Sequence, residues 1–265
     1  MIVTAHRLLL GILFGVTLAT AGVAATPDLA RERRLANEIA DTIVDGEPLY
    51  LHADGHAFLA IDTRSETPTP KGYVLLLHGR GFHPDWADVI HPLRVGLTER
   101  GWNTLSIQLP VLDKAAKYND YVDVFPAAMP RIEAAIAYLQ GQGAGRIVVL
   151  AHSCGAHMAQ HWINVRGAAA LATFDAFVGI GLGATDYGQP MQEEFALGAI
   201  RVPVLDVYGG ADFPAVLRLA PARRALLDEA GNGLSRQVEV PGADHYFRGH
   251  SAELVAAVAA WLDCL

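Results

Sequence analysis

The chain has 265 residues, of which 52% are apolar and 18% are charged, and its formal net charge at pH 7 is −8. This composition supplies a substantial core and excludes a disordered chain. An acidic chain without basic clusters argues against nucleic acid and against anionic membrane surfaces as partners.

The first 25 residues have the pattern of a secretory signal peptide. Arg7 and the amino terminus precede an apolar segment, and Val23 and Ala25 suit the −3 and −1 positions of a cleavage site. We therefore expect removal of residues 1–25 and a periplasmic or secreted mature protein without membrane contact. The alternative is an anchor formed by uncleaved residues 8–25, since about 18 apolar residues are nearly enough to span a bilayer.

The mature chain begins with a predicted lead-in helix and a predicted β-hairpin. Apolar side chains recur at near-helical spacing among charges in residues 26–47, which indicates an amphipathic helix. Two β-rich runs then flank Ala53-Asp54-Gly55, which favours a hairpin. Because no linker, internal repeat or low-complexity segment follows, residues 48–265 are expected to form one domain.

Strand patterns alternate with helical patterns over the rest of the chain. The predicted strands are "YVLLLHG", "WNTLSIQLP", "RIVVLAHS", "AFVGIGL", "VPVLDVYG" and "RQVEVPG". Among the helices between them, one ends at Gly101 and another is expected to start at Pro130. A hairpin followed by repeated β-α units predicts an α/β protein, with a mostly parallel central sheet and helices on both faces.

The stretch "VVLAHSCGAHMAQ" places a serine between a predicted strand and a predicted helix. Small residues, Ala151 and Gly155, stand two places to either side of Ser153. A sharp strand-to-helix turn needs small flanks of this kind and lifts the serine hydroxyl above the sheet, as in a nucleophile elbow. The alternative is a loop serine that caps the helix.

An acid and a histidine follow two later strands, where ligands bind in parallel sheets. Asp212 follows "LDVYGG" and His245 follows "VEVPGA". An imidazole can take the proton of Ser153 during attack, and a carboxylate behind it fixes the tautomer. The two glycines before Asp212 are expected to allow a sharp turn; its alternative role is to cap the helix that starts at Phe213.

Backbone N–H groups near the serine are candidates for stabilising an oxyanion. We expect the N–H of Cys154 to be one donor and that of Arg80 to be the other, with Gly81 as its competitor. Gly81, His83 and Trp86 are candidate pocket residues, although His83 can equally belong to a capped turn. The Arg80 side chain is in addition a candidate for contact with an anionic substrate group.

Two further histidines flank the predicted site, and both are interpreted as structural. His78 and His152 each precede their turn, whereas His245 follows the last strand.

The two cysteines, Cys154 and Cys264, are expected to be free thiols, with a disulfide as the alternative that export permits. No cysteine–histidine spacing resembles a zinc site, so no metal is expected.

Taken together, "VLLLHGRG", "AHSCGAH", "VYGGAD" and "GADHYF" resemble the α/β-hydrolase superfamily over nearly everything after residue 48. The resemblance implies Ser153 as nucleophile, Asp212 as acid and His245 as base. Ala151 departs from the usual glycine. Some α/β-hydrolases place the acid after the preceding strand, which makes Asp186 the alternative acid.

The stretch "HPDWADVIHPLRVGLTERGWNTLSIQLPVL" further resembles an uncharacterised bacterial family of exported α/β-hydrolase-like proteins. That likeness supports fold and export and supplies no substrate. The segments 183–201 and 111–126, which could cover the site, are short, so we expect a minimal lid and an open cleft.

These observations predict an exported serine hydrolase that cleaves a carboxylic ester or thioester through an acyl-enzyme. Its partner would be a small-molecule ester or acyl substrate, and no metal or organic cofactor is implied. The alternatives are an acyltransferase with the same three residues, or a non-catalytic binding protein on the same fold.

Overall fold

The computed structural model describes residues 26–265, so the predicted signal peptide lies outside the described residues. Within them, eight strands form one sheet in the order β1-β2-β4-β3-β5-β6-β7-β8. The strands are β1 (Glu47–Ala53), β2 (His56–Thr63), β3 (Tyr73–Leu77), β4 (Asn103–Ile107), β5 (Ile147–His152), β6 (Ala176–Ile180), β7 (Val204–Gly209) and β8 (Arg236–Val240). Only the pairs β1–β2 and β2–β4 are antiparallel among these eight strands.

The helices lie before, between and after these strands. They are α1 (Leu29–Ile39), α2 (Ile90–Gly96), α3 (Tyr118–Val122), α4 (Phe125–Gly141), α5 (Cys154–Arg166), α6 (Ala168–Leu171), α7 (Pro214–Ala230) and α8 (Ser251–Leu262). No helix of the described chain is long and apolar enough to cross a membrane.

Helices cover both faces of the sheet, as predicted. Successive side chains of a strand point to opposite faces, so Leu75 packs in the core beneath α4 and α5, whereas Leu76 packs in the core beneath α2 and α8. The central strands are apolar on both faces for this reason, and their side chains are almost completely buried.

The predicted hairpin is present, and its turn explains the choice of residues. Asp54 and Gly55 connect β1 to β2, with φ values of 48° and 76°. Two consecutive positive φ values are typical of a type I′ turn, in which Asp-Gly is favoured. The hairpin adds two antiparallel strands to one edge of the parallel sheet.

The start of α4 differs from the prediction. The helix begins at Phe125 with Pro126 in its first turn, and Pro130 lies inside it. The first turn tolerates a proline because its N–H groups have no helical partner, and Pro126 takes that place instead of Pro130.

The predicted lead-in helix is shorter than residues 26–47. Asp28 caps α1 by accepting a hydrogen bond from the Arg31 N–H at 2.8 Å, and α1 ends at Ile39, where a short 3₁₀ helix follows. The Arg31 guanidinium donates to the Gly81 carbonyl at 3.1 Å. The lead-in segment is therefore attached to the turn that follows β3.

The site edge of the sheet carries the carboxyl ends of β3, β5, β6, β7 and β8. These parallel neighbours end along one line because their registers match residue for residue. The segment between β6 and β7, residues 181–203, contains one short 3₁₀ helix, Ala196–Gly198. This is the minimal lid predicted from the sequence.

Candidate active site

Ser153 occupies a strained turn between β5 and α5. Its φ of 55° and ψ of −121° lie outside the regions that a residue with a side chain ordinarily adopts. A Cβ at Gly155 would lie 2.3 Å from the His78 carbonyl oxygen, so only glycine allows α5 to start this close to β3. Ser153 makes no helix-capping hydrogen bond, which leaves its hydroxyl for other contacts.

A continuous hydrogen-bonded chain joins the serine, the histidine and the acid. The Ser153 Oγ lies 2.8 Å from His245 Nε2, and His245 Nδ1 lies 2.6 Å from Asp212 Oδ1. His245 and Asp212 are almost completely buried. In the neutral imidazole with the proton on Nδ1, the ring donates to Asp212 and accepts from Ser153, as proton transfer from the serine requires.

Asp212 is held in place by the start of α7. Its Oδ1 accepts a hydrogen bond from the Phe213 N–H at 2.6 Å. The helix-capping position belongs to Phe213 itself, so Asp212 stands one residue before it and does not cap α7.

The sharp turn predicted before Asp212 is present, since the Asp212 N–H donates to the Gly209 carbonyl at 3.0 Å. The glycines are needed there for a reason that differs from the predicted one. Neither Gly209 nor Gly210 has a positive φ. Instead, a Cβ at Gly209 would lie 2.2 Å from the Ala243 carbonyl oxygen. Glycine at this position lets the end of β7 approach the loop that carries His245, which brings the acid to the imidazole.

Gly181 is a site residue that the sequence analysis missed. It follows β6 with a φ of 62°, and a Cβ there would lie 2.7 Å from Cε1 and 2.9 Å from Nδ1 of His245. A side chain at this position would therefore displace the imidazole. Its position after β6, at the same edge as Ser153, was the available signal.

The alternative acid, Asp186, does not contact His245. Its carboxylate is paired with the Arg80 guanidinium, with Arg80 Nη2 at 3.2 Å from Oδ1, and it accepts a hydrogen bond from the Tyr118 N–H at 2.7 Å. The hydrogen bond from Arg80 is the main reason why the pKa of Asp186 is lowered. The geometry thus favours Asp212 over Asp186 as the partner of His245.

The turn after β3 lies directly beside the serine. A Cβ at Gly79 would lie 3.3 Å from the Ser153 Cβ, which places the Arg80 backbone next to Ser153. Within residues 26–265, neither the Arg80 N–H nor the Cys154 N–H donates a hydrogen bond. Both predicted donors are therefore free to bind a developing oxyanion.

His78 holds this turn in place. Its Nδ1 donates to the Gly79 carbonyl at 2.7 Å, and its Nε2 accepts from the Leu109 N–H at 2.9 Å. Burial lowers the pKa of His78 to about 3, so the ring is neutral. These contacts give His78 a structural place in the fold.

His152 has a comparable place beside His245. Its Nε2 lies 3.1 Å from the His245 carbonyl oxygen, to which it donates, and burial lowers its pKa to about 3.

Both cysteines are free thiols, as expected. Burial raises the pKa of Cys154 to about 12, so its side chain is a neutral thiol next to Ser153.

A small pocket of about 40 Å³ surrounds the serine. Its lining comes from the turns after β3, β5 and β6, from α3, and from the loops after β7 and β8: Arg80, Phe82, Tyr118, Ser153, Cys154, Ala184, Thr185, Asp186, Phe213 and Tyr246. A wider groove of about 700 Å³ adjoins it and shares Thr185, Asp186 and Phe213.

The candidate pocket residues Gly81, His83 and Trp86 do not line this pocket. Trp86 stacks on the far side of Phe82, with ring centroids 3.8 Å apart, so Phe82 takes the position at the pocket. The His83 ring accepts a hydrogen bond from the Asp85 N–H at 3.3 Å, which is the capped turn given as the alternative. Tyr246 and Phe213 could have been inferred as neighbours of His245 and Asp212.

In the part of the chain that the structure describes, no group of three or more histidine, cysteine, aspartate or glutamate side chains could hold a metal ion.

Solved structures share this architecture. Est1E from Butyrivibrio proteoclasticus is 16% identical and has a TM-score of 0.60, over 82% of this chain and 98% of Est1E. XC6422 from Xanthomonas campestris, described as an α/β serine hydrolase without a lid, is 13% identical with a TM-score of 0.61, over 83% and 95% of the two chains. This chain has the α/β-hydrolase fold. The esterase Pf2001 from Pyrococcus furiosus also shares that fold, at 14% identity and a TM-score of 0.63, over 83% of this chain and 92% of its own.

A family model described as "protein of unknown function (DUF3530)" matches residues 17–123. That region contains the hairpin, β3, β4 and the turn of Arg80, and it ends before Ser153. No curated protein sequence matches the chain.

Proposed function

We propose that the protein is a serine hydrolase that cleaves a carboxylic ester or thioester. The observation that carries this proposal is the chain of hydrogen bonds from Asp212 through His245 to Ser153, beside two backbone N–H groups that donate no hydrogen bond within residues 26–265. The α/β-hydrolase fold supports it, since esterases are among the structures that share the fold.

The reaction would proceed through an acyl-enzyme. Ser153 Oγ attacks the carbonyl carbon while His245 Nε2 takes its proton, and Asp212 stabilises the imidazolium. The N–H groups of Cys154 and Arg80 bind the oxyanion. The imidazolium then gives its proton to the leaving alcohol or thiol, and His245 activates water to release the acid.

The backbone at Ser153 favours catalysis over a purely binding role. A non-glycine residue at this φ and ψ costs about 1–3 kcal/mol, and such strain persists where the surroundings enforce it. A binding protein gains nothing from holding a serine in this conformation with its hydroxyl on an imidazole.

Ser153→Ala tests the proposal directly. We expect the rate of hydrolysis of a simple acetate ester to fall by at least about 10³-fold, because Ser153, His245 and Asp212 would act as a unit and the loss of one removes the contribution of the others. Labelling by a fluorophosphonate probe should disappear, and the circular dichroism spectrum should not change. As a matched control, Ser251→Ala alters a serine whose only side-chain hydrogen bond among the described residues is a long one to the Asp88 carbonyl at 3.4 Å. Full turnover in folded Ser153→Ala would refute the assignment.

A further inference from the structure

One buried arginine differs from the others in its partners. Among residues 26–265, four arginine side chains are buried, and three of them form an ion pair with a carboxylate: Arg94, Arg131 and Arg223. Arg31 forms no ion pair within those residues. Its guanidinium donates instead to two backbone carbonyls, that of Leu112 and that of Gly81, the latter at 3.1 Å. A buried charge without a counterion is costly, so a role in holding these two carbonyls is the better explanation of its position.

The Gly81 carbonyl belongs to the turn that carries a proposed oxyanion donor. This turn runs from Gly79 to Phe82, and the Arg80 N–H lies at its second residue. Gly81 is the third residue and has a φ of 72°, as in a type II turn. The backbone hydrogen bond that closes the turn, from the Phe82 N–H to the Gly79 carbonyl, is long at 3.4 Å.

Contacts from outside the turn must therefore fix its conformation. Two of its four residues are glycines, which restrict φ and ψ little. His78 holds the Gly79 carbonyl at one end, and Arg31 holds the Gly81 carbonyl at the other. Because the Arg80 N–H shares a planar peptide unit with the Gly79 carbonyl, it lies between the two held groups. A rotation of the turn that loses the Arg31 contact would change the direction of this N–H.

The helix that carries Arg31 is itself attached to the loop after β4. The Asp28 N–H donates to the Val111 carbonyl at 2.8 Å, and Glu32 accepts from the Val111 N–H at 3.3 Å. The Glu32 carboxylate also pairs with the buried Arg131 guanidinium at 2.9 Å. α1 therefore gives the Arg31 side chain a fixed base from which it reaches the turn.

We propose that Arg31, on the lead-in helix, is a positioning residue for ester hydrolysis and holds the turn after β3 so that the Arg80 N–H points at the oxyanion. Its guanidinium bridges the carbonyls of Gly81 and Leu112, which links the turn to the loop after β4. Arg31 does not line the pocket around Ser153 and acts through the backbone. The inference rests on the proposed function, because the direction of the Arg80 N–H matters only if an oxyanion forms.

The test compares two inhibitors of nearly the same shape. With 1,1,1-trifluoro-4-phenylbutan-2-one, Ser153 Oγ bonds to the carbonyl carbon, the serine proton passes to His245, and the carbonyl oxygen becomes an oxyanion. The corresponding alcohol, 1,1,1-trifluoro-4-phenylbutan-2-ol, cannot form an oxyanion. Only the ketone therefore reports on the oxyanion donors, as a transition-state analogue does.

Arg31→Ala should weaken binding of the ketone and spare that of the alcohol. We expect the inhibition constant of the ketone to rise about 10–100-fold, somewhat less than the 10²–10³-fold effect of removing a donor outright. The value of kcat/KM for 4-nitrophenyl acetate should fall by a comparable factor, and the inhibition constant of the alcohol should change by less than about threefold. All rates are taken per site labelled by a fluorophosphonate probe at saturation, so that a loss of folded protein does not enter.

Two further variants complete the test. Arg34→Ala is the matched control, since Arg34 lies on α1 but is exposed to solvent. It should leave kcat/KM and both inhibition constants unchanged. Arg31→Lys keeps the charge but not the planar fork that reaches two carbonyls, so it should show the changes of Arg31→Ala at about threefold or more.

The outcomes separate this inference from the proposed function. Normal kcat/KM and normal ketone binding in folded Arg31→Ala would overturn the inference, while the hydrolase remains. Equal losses for the ketone and the alcohol would also overturn it, because a general disturbance of the pocket weakens both. If Arg31→Ala does not fold, Arg31→Lys decides by the same criteria. If the wild-type protein cleaves no ester and Ser153 is not labelled, the proposed function fails and this inference fails with it.

Discussion

The middle of β7 and its carboxyl end each hold a buried carboxylate, and the two differ in their partner. Asp206, inside the sheet, pairs with Arg223 at 2.7 Å, and both side chains are fully buried. Asp212, just beyond the strand, pairs with His245 at 2.6 Å. Six positions along the chain thus separate a carboxylate beside a permanent cation from one beside a base that can exchange its proton.

The difference shows how the position on a strand determines what a carboxylate can do. Burial raises the pKa of Asp206, while the charge of Arg223 and a hydrogen bond from Gln237 at 2.8 Å oppose that effect. These contacts join α7 and β8 to β7 and leave no group that moves a proton. At the strand end, by contrast, the imidazole has one ring nitrogen on the acid and the other on Ser153.

Asp212→Asn tests the catalytic role proposed for the carboxylate beyond the end of β7. We expect kcat for an acetate ester to fall by up to about 10⁴-fold, because the amide no longer fixes the His245 tautomer. Thermal unfolding should change little, since asparagine can still accept the hydrogen bond from Phe213. A variant that melts early with normal turnover would instead assign Asp212 a purely structural role.

Asp206→Asn tests the structural role of the carboxylate inside β7. The change leaves the Arg223 charge buried without its counterion, and breaking such a pair costs about 3–5 kcal/mol. Denaturant unfolding measures this loss, while kcat per folded molecule should stay normal. Asp228→Asn is the control, because Asp228 pairs with Arg224 on the same helix in an exposed position and should cost at most about 1 kcal/mol. Equal costs for the two variants would contradict the contrast.

Mild acid should lower the stability of the protein, because three of its buried histidines are neutral in the fold. Burial lowers the pKa values of His78 and His152 to about 3 and that of His157 to about 4. In the unfolded chain these histidines have the ordinary pKa of about 6.5, so below that pH the unfolded state binds more protons than the folded state. The stability that the neutral rings contribute is therefore fully present above about pH 6.5 and is lost as the pH drops toward 4.

Between pH 7.5 and 6.0 the three histidines should together remove roughly 2–3 kcal/mol from the free energy of unfolding. Denaturant midpoints at the two pH values measure this effect. His157→Gln removes one of the three groups and should reduce the pH dependence by about a third. A pH-independent midpoint would show that these histidines are not neutral in the fold.

Asp186→Asn should have the smallest effect. Because Asp186 contacts Arg80 and not His245, the change alters only the wall of the pocket. We therefore expect kcat/KM to change by at most about tenfold. A loss comparable to that expected for Asp212→Asn would reverse the assignment of the acid.

The strands and the chain order of the candidate site residues were predictable because their signals are local. The continuous apolar runs of β3, β5 and β6 identify buried strands without reference to the rest of the chain. Ser153, Asp212 and His245 were identified as candidates because each follows a predicted strand. The start of α4 was not, since Pro126 and Pro130 both suit a first helical turn and tertiary packing decides between them.

The surroundings of the site were harder to predict because they depend on contacts between distant segments. Gly181 matters only because His245, from a loop far along the chain, lies against it. Phe82 replaces Trp86 at the pocket because the two rings stack. Similarly, Gly209 is required by the carbonyl of Ala243, and no local pattern around Gly209 shows that approach.

The separation of Ser153 and His245 along the chain has a consequence for folding. The two side chains are hydrogen-bonded across 92 positions, and β6 and β7 lie between their strands in the sheet. Long-range parallel pairing forms slowly, since the loop entropy is lost before the contacts are gained. A molecule that has formed its helices but not this part of the sheet has no assembled nucleophile. During refolding, the return of the proposed esterase activity should therefore follow the return of helical circular dichroism, and a serine-directed probe would count the molecules that have completed the sheet.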